Sequence, residues 1–274
     1  MKSNIRVSIL GNSVPMLVQP FRGSPDDITY VEHLRNKGYK IIPGMKQSAM
    51  ISDLYWYFED ECTRHAPDYV ILHFGIVEAT YRARPRCMQN YFSMNAWNNS
   101  VIDKPYNGPI RRGMKFVLKK MHKRIVEHLL YTLGVKWRWC SLKKFTFSLK
   151  DIVKRIFADS AAKKIILIGM TELVEWSEKQ APGSNESIRQ YNEVMKQIAS
   201  LSPNITYIDP ENAFKGHQRA DITPDGIHFT GLGHRLLADH IAAQLTGKRE
   251  NYLGWQKINQ YESLYSLYEN RFKR

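Results

Sequence analysis

The sequence lacks the features that define several common classes of protein. No stretch approaches the roughly 18–20 consecutive apolar residues that a membrane-spanning helix needs, and the first residues show no secretory h-region with a cleavage site. Cysteine is scarce: Cys62, Cys87 and Cys140 are too few and too far apart to form a disulfide framework. No H-E-x-x-H, paired-cysteine or Walker-type motif occurs, so we expect no metal and no cofactor. We therefore expect a soluble, cytoplasmic protein.

What the sequence does contain is an alternation of two patterns. Short runs of Val, Ile and Leu are separated by stretches with helical periodicity, and in a chain of 274 residues that is 43% hydrophobic this predicts an α/β domain with a mostly parallel sheet. The predicted strands are 5–10, 39–42, 69–74, 164–168 and 205–208. The predicted helices are 24–38, 48–60, 185–200 and 231–245, the first of them starting at Ser24-Pro-Asp-Asp27 with Ser24 as its cap.

The residues that can carry chemistry follow the predicted strands. Ligands of such sheets bind outside the carboxyl ends of the strands. Ser13 follows the first strand in a Gly-Asn-Ser turn, and Asp225-Gly-Ile-His228 precedes the last helix. A nucleophilic Ser needs a base, and that base needs a partner that fixes its tautomer, so these three side chains are a candidate nucleophile, base and orienting acid.

In order and spacing these blocks resemble the SGNH/GDSL hydrolase family. The likeness lies in Ile9–Ser13, Gly44, Val70–Gly75 and the closing run DGIHFTGLGHRLLADHI, and Ile188–Asn192 also resembles a helix common in that family. The resemblance implies a three-layer α/β/α sandwich, SGNH-hydrolase-like and flavodoxin-like, with a central five-stranded sheet.

It also implies roles for individual residues. Ser13 would be the nucleophile, His228 the general base and acid, and Asp225 its orienting carboxylate. The amides of Ser13 and Gly44 would donate to the oxyanion, and Gly75 belongs to the same oxyanion and substrate-binding set.

Two positions depart from the family pattern. The family's Gly-Asp-Ser reads Gly-Asn-Ser, with Asn12 in place of an Asp that is not the nucleophile. In the family's Gly-x-Asn-Asp block, Val77 stands where an Asn side chain donates to the oxyanion, and Val cannot donate. Arg82 follows closely and is a candidate for supplying a cation to an oxyanion or an acidic substrate.

A basic segment accounts for nearly all of the net charge of +14. Residues 104–155 carry 15 Lys and Arg against 2 Asp and Glu. Apolar residues at helical spacing between 116 and 130 predict a basic amphipathic helix. The segment fits a lid over the active site, the surface of an anionic membrane or an acidic glycan, and nucleic acid is the less favoured partner.

We therefore expect one domain over 1–250, with a basic, largely helical insertion at about 90–158 and an aromatic helical tail at 251–274. The expected function is that of a serine-dependent esterase or O-acyltransferase with an acyl-enzyme on Ser13. The substrate would be an acetyl-type ester on a carbohydrate, in surface-polysaccharide synthesis at the inner membrane face. The alternatives are a non-catalytic glycan- or ligand-binding protein of the same fold, or a protein that binds membrane or nucleic acid through 104–155.

Overall fold

Five parallel strands of mostly buried Val, Ile and Leu residues form the central sheet. The computed structural model describes residues 5–17, 23–82, 86 and 129–245. The strands of the sheet are β1 (Arg6–Gly11), β2 (Lys40–Met45), β3 (Tyr69–His73), β6 (Lys164–Ile168) and β7 (Ile205–Ile208). A separate antiparallel pair consists of β4 (Tyr81–Arg82) and β5 (Trp137–Arg138). The predicted α/β class with a parallel five-stranded sheet is confirmed.

The strand order explains where a ligand can bind. The order is β2-β1-β3-β6-β7, so the chain moves one way from β1 to β2 and the other way from β3 onwards. Connections at the carboxyl ends of β1 and β3 therefore diverge and leave a crevice, which is where doubly wound sheets bind ligands. Ser13 lies two residues after β1, at the edge of this crevice.

Helices cover both faces of the sheet, because right-handed crossovers that run in opposite directions from β1 place their helices on opposite faces. On one face α1 (Tyr30–Asn36) packs against α9 (Gly231–Leu245); on the other, α4 (Leu142–Asp159) packs against α6 (Ser184–Ala199) and a 3₁₀ helix at Ile51–Trp56. The shorter helices are α2 (Phe58–Glu61), the 3₁₀ helix Thr63–His65, α3 (Ile76–Ala79), α5 (Glu175–Gln180), α7 (Pro210–Ala213) and α8 (Arg219–Ile222).

The first two predicted helices differ from the structure. The prediction that a helix starts at Ser24 is wrong, because Asp27 accepts the Gly23 and Ser24 amides and closes a turn instead. The helix begins only at Tyr30, where the Thr29 hydroxyl caps it by accepting the Glu32 amide. The predicted helix 48–60 is a 3₁₀ helix followed by the four residues of α2.

The basic segment is only partly described. Residues 87–128, with most of the predicted amphipathic helix, lie outside the described residues, as does the tail from 246 onwards. The predicted insertion at about 90–158 contains nearly all of α4, whose apolar residues, among them Phe145, Leu149 and Ile152, are part of the main core. In the part of the chain that the structure describes, no helix is both long enough and apolar enough to cross a membrane.

Candidate active site

The turn after β1 holds Ser13 in place through its neighbours. The Asn12 amide donates to the His73 carbonyl at 3.3 Å, and the Asn12 side-chain oxygen accepts the Val14 amide at 3.0 Å. A side chain at Gly11 would come within 3.0 Å of the His73 carbonyl oxygen, so the turn needs glycine there. Asn12 therefore fixes the turn that carries Ser13. This agrees with the prediction that the residue at position 12 is not the nucleophile.

The loop before α9 supplies the base and its orienting acid. His228 Nε2 lies 3.3 Å from Ser13 Oγ, and His228 Nδ1 lies 2.8 Å from Asp225 Oδ2. The other carboxylate oxygen of Asp225 accepts the amides of Ile227 and His228, at 2.8 and 2.7 Å. The structure thus brings together the three side chains predicted from the sequence, although they are separated by up to 215 positions in the chain.

These contacts keep Asp225 charged. Burial would by itself raise the pKa of its carboxyl, but hydrogen bonds from the His228 ring and from two backbone amides outweigh burial and lower that pKa. A charged Asp225 accepts a hydrogen bond from the Nδ1–H of His228, which leaves Nε2 without a proton as the acceptor that faces Ser13 Oγ. The arrangement can therefore take a proton from Ser13 and return it to a leaving group.

The loop after β6 supports the loop of Asp225 and His228, which we call the catalytic loop. The Thr171 hydroxyl donates to the Gly226 carbonyl at 2.6 Å. This loop is in turn fixed by α6: the Asn192 side chain bonds both the amide and the carbonyl of Met170, each at 2.8 Å, and Asn185 does the same for Leu173 at 2.6 and 3.0 Å.

The roles of Asn185 and Asn192 were missed from the sequence. The Ile188–Asn192 block was the available signal for Asn192, but it did not indicate what the side chain binds.

The predicted oxyanion glycine occupies a different place from the one expected. β2 runs on to Met45, so Gly44 lies within the strand and pairs with Leu10 of β1. A side chain at Gly44 would overlap Leu10 and Glu61, so its glycine is explained by packing. Its oxyanion role stays a prediction.

The next turn contains Ser48, which has a φ of 59°, a left-handed conformation that favours glycine. The backbone amides on either side are bonded: the Lys46 amide donates to the Gly11 carbonyl, and the Ala49 amide donates to the Lys46 carbonyl. No acceptor among the described residues takes the Ser48 amide. A strained residue with a spare N–H, in the turn after the strand that pairs with β1, is a candidate oxyanion donor. No sequence pattern pointed to this role of Ser48.

The remaining predicted residues have partners of their own. The Gly75 amide donates to the Glu78 carboxylate at 3.1 Å, and the Val77 side chain is buried in the core. The Arg82 guanidinium lies 4.2 Å from the centre of the Trp139 ring. Substrate roles for Gly75 and Arg82 stay predictions. Within the described ranges, no group of three or more His, Cys, Asp or Glu side chains is placed to hold a metal ion.

A small cavity of about 10 Å³ lies among residues that neighbour the triad in the chain, although no triad side chain lines it. Val14 and Ile227, the neighbours of Ser13 and His228, both line it. This is room for a group about the size of one water molecule. The other lining residues are Asn12, His73, Phe74, Ile76, Gly169, Met170, Thr171 and Phe229.

Comparison with solved structures shows the same fold. The acetylxylan esterase Axe2 from Geobacillus stearothermophilus is 18% identical, with a TM-score of 0.54 over 92% of this chain and 100% of that chain. LAE5, an α/β hydrolase from the metagenome of Lake Arreo, is 16% identical, with a TM-score of 0.54 over 89% of this chain and 95% of that chain.

Structures of Axe2 include catalytic mutants in which a Ser, an Asp or a His is replaced by Ala. No curated protein matches the sequence. The model of the GDSL-like lipase/acylhydrolase family matches residues 48–236, about two thirds of the chain. The chain therefore belongs to the GDSL-like lipase/acylhydrolase family and is an ester-bond hydrolase.

Proposed function

We propose that this protein removes a short, acetyl-type acyl group from a carbohydrate through an acyl-enzyme on Ser13. The observation that carries the proposal is the continuous contact from Asp225 through His228 to Ser13, at 2.8 and 3.3 Å, at the carboxyl end of β1. The catalytic mutants of the Axe2 esterase, at a Ser, an Asp and a His, support the same assignment of roles.

The reaction follows from these contacts. His228 Nε2 takes the proton of Ser13 Oγ while Oγ attacks the carbonyl carbon of the ester, which gives a tetrahedral intermediate with a negative oxygen. The intermediate collapses, the bond to the sugar oxygen breaks, and His228 returns the proton to that oxygen. Water, deprotonated by His228, then attacks the carbonyl carbon of acyl-Ser13. The bond between this carbon and Ser13 Oγ breaks, His228 returns the proton to Oγ, and the acid leaves. A sugar hydroxyl in place of this water would make the reaction a transfer.

The negative oxygen needs donors, and Val77 supplies none. The Ser13 amide is one candidate, and the Ser48 amide is the second, because β1 and β2 end side by side with Gly11 paired to Met45. Ser13 and Ser48 follow these paired ends by two and three residues. Losing one donor of an oxyanion hole typically costs about 10²–10³ in rate, so a hole with two donors predicts slower turnover than one with three.

Two features support a short acyl group on a sugar. The cavity of about 10 Å³ that Val14 and Ile227 line has room for a group about the size of one water molecule and not for a long chain. The indole N–H of Trp176 donates to the Pro224 carbonyl, next to Asp225, and the side chain is 51% exposed. A fixed, exposed indole offers a sugar an apolar face beside the catalytic loop.

The experiment is a chain-length series of p-nitrophenyl esters together with an acetylated xylo-oligosaccharide. We expect kcat/KM to fall from acetate to butyrate to octanoate, and Ser13→Ala and His228→Ala to abolish turnover. Ser200→Ala and His217→Ala, which alter exposed side chains, are the controls. A preference for octanoate would contradict the short acyl group.

The sugar is tested separately at Trp176. Trp176→Ala should raise KM for the acetylated oligosaccharide and leave KM for p-nitrophenyl acetate unchanged. Trp56→Ala, which removes an indole that is 87% exposed, should change neither. Equal effects on both substrates would remove the sugar-binding role of Trp176.

The wider setting is also part of the proposal. An enzyme that acts on precursors of a surface polysaccharide would work at the inner membrane face, where the basic segment would contact anionic lipid. Flotation with anionic liposomes should depend on residues 111–145. Transfer rather than hydrolysis would appear as acetylated sugar, in place of free acetate, when an acceptor sugar is added.

A further inference from the structure

A fully buried carboxylate links the two loops that border the catalytic crevice. Glu78, in α3, is 0% exposed. Its Oε1 accepts the Ile51 amide at 2.6 Å, and its Oε2 accepts the Gly75 amide at 3.1 Å. One amide lies just beyond the turn that carries Ser48, and the other lies in the loop after β3. Each carboxylate oxygen therefore holds a different side of the crevice.

A second carboxylate works beside the first. Asp53 accepts the Met50 amide at 2.9 Å, so two consecutive amides, of Met50 and Ile51, are held by two different acids. Arg86 donates to Asp53 at 2.7 Å and balances its charge. The chain after Ser48 is thus fixed at two successive positions, whereas Ser48 itself is held in a left-handed conformation. Such a conformation persists only where its surroundings impose it.

We propose that Glu78 is a positioning residue of the esterase: it ties the turn of Ser48 to the loop of Gly75 and so holds the Ser48 amide against the oxyanion of the Ser13 intermediate. The inference rests on the proposed function. It also explains how the site works with Val77 in place of a donor, because a hole with fewer donors depends more on how rigidly each of them is held.

The bridge requires a charged carboxylate. A protonated carboxyl has one good acceptor oxygen and one O–H, so it cannot accept both amides equally. Burial raises the pKa of Glu78, and the charge of Asp53 adds to this, while the bonds from backbone amides oppose it; the result is a pKa of about 7. The bridge is therefore complete above neutral pH and weakens as the pH falls.

The charged and titratable groups that face Glu78 come from every element around it. Burial raises the pKa values of the Tyr57, Cys140 and Tyr191 side chains far above neutral, so these three groups do not change charge near pH 7. Asp53 and Arg86 form the remaining ion pair. Glu78 itself is then the group in this cluster whose protonation alters the two loops.

The test compares Glu78→Gln with the wild type across pH. Gln has the same size but a single acceptor oxygen, so it mimics the protonated carboxyl at every pH. Both enzymes share the triad, so the titration of the triad cancels in the ratio of their kcat values. We expect the wild type to exceed the variant at least ~10-fold at about pH 8 and to match it within about twofold at about pH 5.5, with KM little changed.

A second measurement reads the loop without relying on activity. Hydrogen–deuterium exchange of the segment 46–51 at about pH 8 should be faster in Glu78→Gln than in the wild type, whereas Glu59→Gln, an exposed glutamate in α2, should change neither exchange nor kcat. Glu78→Asp, one methylene shorter, should behave like the Gln variant, because it cannot reach both amides.

The outcomes separate this inference from the proposed function. An active wild type with a kcat ratio that is constant across pH, or with unchanged exchange of 46–51, overturns the positioning role and leaves the esterase intact. A wild type that hydrolyses no ester overturns the proposed function, and the positioning role is overturned with it.

Discussion

Gly226 offers the sharpest test of how the catalytic loop is held. It lies between Asp225 and His228 with a φ of +78°, a conformation that costs a residue with a side chain about 1–2 kcal/mol. A Cβ there would also come within 2.5 Å of the Glu172 carbonyl oxygen and within 2.6 Å of the Val174 nitrogen. Both are backbone atoms of the loop that Asn185 and Asn192 fix, so the catalytic loop has to move instead.

The expected size of the effect follows from this overlap. Relieving it requires a shift of about 0.5–1 Å at His228, and a misplacement of about 1 Å can cost 10²-fold in rate. Gly216→Ala is the matched control, because Gly216 has a φ of +86° and nothing within 4 Å of its added Cβ. It carries the conformational cost alone.

We therefore expect Gly216→Ala to lose about 1–2 kcal/mol of stability with normal kcat/KM. Gly226→Ala should lose about 1–3 kcal/mol more through overpacking, and about 10–100-fold in kcat/KM on p-nitrophenyl acetate. Thermal unfolding and steady-state kinetics measure the two quantities. If Gly226→Ala matches its control in both, the catalytic loop does not rest against the loop at 172–174, and the reasoning fails.

Three further changes have defined outcomes. Ser48→Gly should stabilise the fold by about 0.5–1 kcal/mol with kcat within about twofold, because glycine tolerates the left-handed turn; an equal or lower denaturation midpoint would contradict this. Asn192→Asp keeps the acceptor for the Met170 amide but loses the donor to its carbonyl, so chemical denaturation should show a loss of about 1–3 kcal/mol, and an unchanged midpoint would argue against the clamp. Burial lowers the pKa of His234 from 6.5 to about 3. Below pH 6.5 the His234 side chain therefore binds a proton in the unfolded state but not in the folded state. The stability that is present above pH 6.5 is lost as the pH falls. His234→Leu should remove about 2 kcal/mol of the loss between about pH 7 and pH 5, and identical pH dependence in both proteins would refute the assignment.

The parts of the fold that local pattern determines could be predicted from the sequence. β6, β7 and α9 begin and end at the predicted residues. The apolar pattern of a buried strand or of an amphipathic helix lies within consecutive residues, so the sequence alone shows it. The relation of Ser13 to His228 was also predicted, since both lie at strand-end loops that a parallel sheet brings to one edge.

What the sequence could not show depends on contacts between distant segments. Whether Ser24-Pro-Asp-Asp27 starts a helix depends on which amides the Asp27 carboxylate binds. In the structure it accepts the Gly23 and Ser24 amides. The left-handed Ser48 has no sequence signature, because residues with side chains rarely adopt that conformation.

The hydrogen bonds that support the site likewise cannot be predicted from the sequence alone. Asn192 and Met170 are 22 positions apart, and Glu78 and Ile51 are 27 apart. In both pairs a side chain bonds a backbone group, so the residue type of the partner carries no information about the contact. Only the folded arrangement reveals that these polar side chains hold the loops around the triad.

The central claim, an activated Ser13, is tested most directly by labelling with a fluorophosphonate probe and reading the intact mass. The account predicts a single adduct on the wild type and on Ser200→Ala, and none on Ser13→Ala. Labelling should be slowed by at least ~10²-fold in His228→Ala, because a serine hydroxyl is a weak nucleophile without its base. A folded wild type that takes no label, or an adduct that persists in Ser13→Ala, would contradict it.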